Sequence, residues 1–178
     1  MKTIFLIISL LLGIRESTLI NLKADKANSN LSYSASHSLH DWTGVNKDVN
    51  AVLVLDGSGK INKVAISLKV VDFDSGNASR DSHSLEVLES LKFPKVQFVS
   101  TEISQMDGGS KVKGNLTFHG LTKMVEFPVT YHAKRNGIIV EGEIPVSLDE
   151  FKVERPSFML VKIDDLIAIT FHLEFYPE

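Results

Sequence analysis

The sequence contains no cysteine, which excludes disulfides, thiolate zinc sites, iron–sulfur clusters and cysteine nucleophiles together. Polar aromatics are scarce, with one Trp and three Tyr, too few for the two aromatic girdles of an outer-membrane barrel. No apolar run reaches the roughly 20 residues that a spanning helix needs. Charge is nearly balanced, 19 basic against 22 acidic residues for a formal net charge of −3, so nothing suggests a basic face for nucleic acid. What the 178 residues do supply is 43% hydrophobic and 23% charged side chains, the composition of one globular domain with a substantial core.

Lys2 is followed by an apolar stretch from Ile4 to Ile14, interrupted only by Ser9 and Gly13. A basic residue ahead of a short apolar run is the pattern of a signal peptide. Residues 1–20 are therefore expected to be a leader, cleaved between Ser17 and Asn21, and residues 21–178 one domain without an integral membrane span. That places the mature chain in the periplasm or outside the cell.

From Asn28 onward the hydrophobic period is two. Val64-Ala65-Ile66-Ser67-Leu68-Lys69-Val70 alternates large apolar residues with small or charged ones, as do the runs 111–118, 125–132, 138–144 and 167–175. Such alternation puts one face of each strand in an apolar interior. Asp56-Gly57-Ser58-Gly59, Asp107-Gly108-Gly109-Ser110 and Arg135-Asn136-Gly137 lie between alternating runs and supply turn residues, which joins the strands antiparallel. About eight strands result, enough to close a barrel. The fold expected is all-β, an eight-stranded antiparallel lipocalin-like barrel with one short α-helix between strands 3 and 4. That helix spans Ser79 to Leu91, with Leu85, Leu88 and Leu91 on one face, Asp81 or Ser82 as N-cap, and Pro94 at its end. Phe151 to Leu160, with Pro156, reads as an irregular connection whose Phe158 and Met159 should cover or underlie something.

The inward rows define the candidate ligand-binding residues: Ile66, Leu68, Val96, Phe98, Leu116, Phe118, Val125, Phe127, Val140, Ile169 and Phe171, joined by Phe158 from the connection. None is charged. A lumen so lined accepts an alkyl or isoprenoid chain, gaining about 0.8 kcal/mol per buried CH₂, and rejects sugars and nucleotides, whose polar groups lose water without finding partners. The competing reading is that the same residues simply fill the core.

Chemistry beyond binding has little support. His37 and His40, three apart in extended chain, are expected on opposite faces, and His119, His132 and His172 on the outward or turn side of separate strands, so no metal site is assigned. Asp56-Gly57-Ser58-Gly59-Lys60 leads into a strand and is a hairpin turn rather than a phosphate loop. No G-x-S-x-G elbow exists; no catalytic residue and no cofactor is assigned. Arg80-Asp81-Ser82-His83 gathers polar types at the start of the helix. Arg80 and His83 could meet the polar head of a ligand there; alternatively Asp81 caps the helix, Arg80 pairs with a carboxylate, and His83 satisfies a loop carbonyl.

The order of these motifs resembles the YceI-like family, also called the polyisoprenoid-binding family. The resemblance is carried by Tyr33 to His37 with Asp41-Trp42-Thr43-Gly44, by Asp74-Ser75-Gly76-Asn77 leading to Arg80-Asp81-Ser82-His83, by Phe93-Pro94-Lys95-Val96-Gln97-Phe98, and by Val112 to Lys123. Phe151 to Phe158 with Arg155 matches more loosely. The resemblance implies a lipocalin-like barrel with a helix packed beside it, exported to the periplasm, that binds a long isoprenoid or fatty-acyl lipid. Some members are dimeric, which leaves a homodimer open. Two rivals stand beside this carrier: a metal- or His83-dependent stress-related enzyme using Asp81 and Arg80, and an interaction module with a packed core.

Overall fold

A computed structural model describes residues 19–177 of the chain; the expected leader lies almost wholly outside the described residues. The alternating runs form strands β1 (Ile20–Ala24), β2 (Asn30–His37), β3 (His40–Asn46), β4 (Asn50–Leu55), β5 (Ile61–Lys69) and the two-residue β6 (Phe73–Asp74). After helix α1 (Ala78–Val87) come β7 (Lys95–Met106), β8 (Gly109–Phe118), β9 (Leu121–Lys134), β10 (Gly137–Ser147), the small hairpin β11 (Ser157–Phe158) and β12 (Val161–Lys162), and β13 (Leu166–Pro177).

The strands make an antiparallel barrel of eight staves. β1 runs on into β2 as one bent stave, and β3 into β4 as a second; β5, β7, β8, β9, β10 and β13 supply the rest. β13 closes the cylinder. It pairs with β10 along one edge, and on the other edge with β2 through Ala168–His172 and with β1 through Phe175–Pro177. The bend between β1 and β2 is tied back to β13. Glu174 C=O accepts from the Asp25 N–H (2.8 Å), and Glu174 N–H donates to Ser29 Oγ (3.0 Å). At the second bend the fully buried Asn46 donates to Lys69 C=O and accepts from Asp48 N–H. Both bends thus exchange ladder bonds for side-chain ones, as buried polar groups require.

Three expectations about the helix are corrected. It follows β6 rather than lying between a third and a fourth strand, because the first two staves are each broken in two and β6 adds a short rung to β3. Its cap is Asn77, whose Oδ1 accepts from Ser79 and Arg80 N–H (both 3.1 Å), not Asp81 or Ser82. Asp81 instead receives the Ser75 N–H and steadies the preceding turn. The helix stops at Val87, so Leu91 falls beyond it and is fully exposed. The connection before β13 is also more ordered than expected, since it carries the β11–β12 hairpin. There Met159 points to solvent at 76% exposure, against the expectation that it would cover something.

Candidate functional site

The barrel interior is divided. One half is filled by its own side chains, among them Leu53, Val112, Leu173 and Phe175, all buried. In the other half, inward residues such as Ile66, Val96, Ile167 and Ile169 are only partly buried, because they face a cavity of about 410 Å³. Protein interiors rarely leave voids much larger than a water molecule, about 30 Å³ of liquid. A space this size is a built feature.

The walls are Ile66 and Leu68 from β5, Val96 from β7, Leu116 and Phe118 from β8, Ile144 and Val146 from β10, and Ile167 and Ile169 from β13, with Leu31 and Tyr33 from β2. Phe98 and Phe171 form the floor: both line the large cavity and also a void of about 20 Å³ beneath it. Phe127 braces them from below, its ring centroid 5.3 Å from Phe98 and 6.0 Å from Phe171. Each floor ring sits over a glycine. A Cβ on Gly114 would fall 2.6 Å from Phe98 Cζ, and one on Gly142 2.6 Å from Phe171 Cζ, closer than carbon atoms approach.

Of the residues expected to bind, Ile66, Leu68, Val96, Phe98, Leu116, Phe118, Ile169 and Phe171 line the cavity. Phe127 and Val140 line the lower void instead, and Val125 packs against the core without reaching the large cavity. Alternation reports which face a residue takes but not how deep in the barrel it lies. The Phe158 side chain lies outside the described residues. Arg80 and His83 both reach the cavity, at its mouth.

The mouth is bounded by α1, the β2–β3 hairpin and segment 153–163, and the charged lining residues, Arg80 and Asp81, belong to α1. Arg80 lies over the Trp42 ring, 5.6 Å from its centroid, rather than against the expected carboxylate. Trp42 stacks on His40 at 5.5 Å, and His40 on His37 at 5.9 Å. This column corrects the expectation of opposite faces for the two histidines: they are register partners flanking the β2–β3 turn, which brings both rings to one side. His37 Nε2 donates to Val161 C=O (3.1 Å), since a carbonyl only accepts, while Nδ1 accepts from Leu39 N–H. His83 meets Glu86 at 3.7 Å.

His119, expected on the outward or turn side of its strand, stands in the β8–β9 turn with its side chain largely covered. Its Nδ1 donates to Phe151 C=O (3.0 Å), Nε2 lies 3.2 Å from Glu89 Oε2, and the ring packs edge-on against Phe93 at 4.7 Å. It ties the β8–β9 turn to the segment after α1 and to the turn at Phe151. The sequence signal was there, in the turn His119-Gly120 beside Phe93, but contacts across distant segments are not visible in a period of two. Segment 148–165 is fastened by Asp165, which accepts from Asp149 N–H and Ser147 Oγ, both at 2.7 Å, and by Arg155, whose fork grips Asp149 and donates to Ile163 C=O. These hydrogen bonds, first that from Asp149 and then that from Ser147, hold the Asp165 carboxyl below its ordinary range. Among the described residues no three His, Asp or Glu side chains cluster as a metal ion would require.

The strands close an antiparallel barrel around an apolar chamber, the architecture of lipocalin-like folds. The YceI-like domain profile matches residues 22–175, and the chain belongs to that family. Protein YceI of Salmonella newport is 30% identical over 147 residues, spanning 79% of this chain and 73% of that protein. A UPF0312 protein of Pseudomonas putida is 36% identical over 121 residues, spanning 66% of this chain and 56% of that protein. Among solved structures, Burkholderia cenocepacia BcnA superposes with a TM-score of 0.78 at 23% identity, covering 85% of this chain and 98% of that one. A polyisoprenoid binding domain from Saccharophagus degradans superposes with a TM-score of 0.68 at 11% identity, covering 90% and 100%. At such identities the two structures speak for the fold alone.

Proposed function

We propose that this protein is an exported carrier that holds the hydrocarbon tail of an isoprenoid or fatty-acyl lipid in the upper half of its barrel, with the polar head at the mouth beside Arg80 and His83. The observation that carries this reading is the 410 Å³ chamber with apolar walls and its charges confined to the rim. An apolar chamber costs packing contacts that a filled core would keep, and a tail restores them at about 0.8 kcal/mol per buried CH₂. The packed-core alternative fits the lower half of the barrel only. Family membership supports a lipid ligand, since one structural neighbour is a polyisoprenoid binding domain. Export rests on the basic and apolar pattern of residues 2–14; β1 begins at Ile20, so a cut between residues 17 and 19 would leave every stave whole.

The test fills the chamber from within. Ile169 lines the cavity and is only partly buried, so Ile169→Phe gains volume in open space. The variant should keep or raise its stability, by about 0.5–2 kcal/mol as cavity filling does, and lose at least tenfold in affinity for a fluorescent fatty-acid probe. Unchanged affinity in a folded variant would contradict a tail in this chamber.

A further inference from the structure

The chamber has a floor, and the floor has a depth. We infer that Phe98 and Phe171 act as a ruler that limits how much of a tail the barrel buries, so that longer chains leave their excess at the mouth. This deepens the carrier reading and rests on it.

Three observations carry the inference. Phe98 and Phe171 line both the 410 Å³ chamber and the 20 Å³ void below, so these two rings separate the spaces. Their positions are held from three sides: Phe127 beneath, Gly114 beside Phe98, and Gly142 beside Phe171. Below them the barrel is filled by residues as buried as Leu53 (1%) and Phe175 (0%), leaving no room for a chain to continue. A tail entering the chamber therefore ends against these two ring faces. Beneath the floor lies the hydroxyl of Ser110, a fully buried residue whose Oγ has no hydrogen-bond partner among the described residues, so the space below also offers a tail a polar group.

The experiment is a chain-length series on the delipidated whole chain: saturated fatty acids of even length from 10 to 20 carbons, with the prenyl alcohols of 10, 15 and 20 carbons, each displacing a fluorescent fatty acid. Wild type should gain about fourfold in affinity per methylene, the equivalent of 0.8 kcal/mol, up to the length at which the tail meets the rings, and then level off within the series. Phe171→Ala joins the two spaces, because a truncated core residue leaves a cavity that collapses only in part, and should move the break upward by about three carbons. Should that variant not fold, Phe171→Leu tests the same ring with a smaller change and should move the break by one or two. Affinity that climbs without a break to 20 carbons in wild type would overturn the ruler while leaving the carrier standing. A break that stays put in a folded floor variant would also overturn it. Binding of no member of the series would overturn the carrier reading itself.

Discussion

Gly142 and Phe171 face each other across the β10–β13 ladder, and the absent side chain of the glycine is the space in which the phenyl ring lies. Gly114 does the same for Phe98 from β8. The two glycines thus set the height of the chamber floor, although neither touches the chamber. In Gly142→Ala the new methyl would also press on Pro128 C=O, 3.0 Å away, so the strand cannot simply shift and the ring must rise. Such overpacking costs about 1–3 kcal/mol. Urea unfolding should register that loss, and the fatty-acid series should break at a shorter length than in wild type.

At the rim, His83 presents an exposed ring whose Nδ1 lies 3.7 Å from Glu86 Oε2. Its removal leaves the walls and floor untouched. His83→Ala should change stability by less than about 0.5 kcal/mol, as exposed substitutions do, and should retain the tail, altering only the preference among head groups. Loss of the tail altogether would favour the reading in which His83 is the centre of the protein's chemistry.

Acid should loosen the mouth. The Asp165 carboxyl is held below its ordinary range by Asp149 N–H and Ser147 Oγ, so its contribution to stability is present above the unfolded value of about 3.9 and disappears as pH falls through the lower folded value. Glu174, lowered chiefly by Lys134 and then Tyr176, behaves in the same direction on the far side of the barrel. Between pH 5 and pH 2 the wild type should therefore lose stability, with amide exchange at Asp149 accelerating. Asp165→Asn should be weaker at neutral pH but flatter across that range. An equal acid dependence in the two proteins would remove Asp165 from the account.

The barrel was legible because alternation is a property of single strands: 64–70, 111–118 and 167–175 each carry it. Strand β1 was not, since Ile20-Asn21-Leu22-Lys23-Ala24 directly follows the leader-like run and was divided between leader and domain. The eight wall and floor residues foreseen are those on the inward face that border the chamber. Phe127, Val140 and Val125 share that face but sit deeper or aside, and depth depends on stagger between strands, which no single strand encodes. His37 and His40 were misread for a related reason. A hairpin returned His40 to the side of His37, whereas His119 stands in the β8–β9 turn, on the turn side expected of it. Tyr33 and Trp42, which also line the chamber, belong to strands whose inward face was not assigned from periodicity, while Ile144 shares the face of Val140 and Leu88 that of Leu85.

The most direct measurement is native mass spectrometry of the whole chain purified without detergent, before and after organic extraction. A guest with a hydrocarbon tail should travel with the protein at one molecule per barrel, leave on extraction, and return when a twelve-carbon fatty acid is added. A barrel that carries nothing when isolated and takes up nothing when challenged would contradict the account at its root.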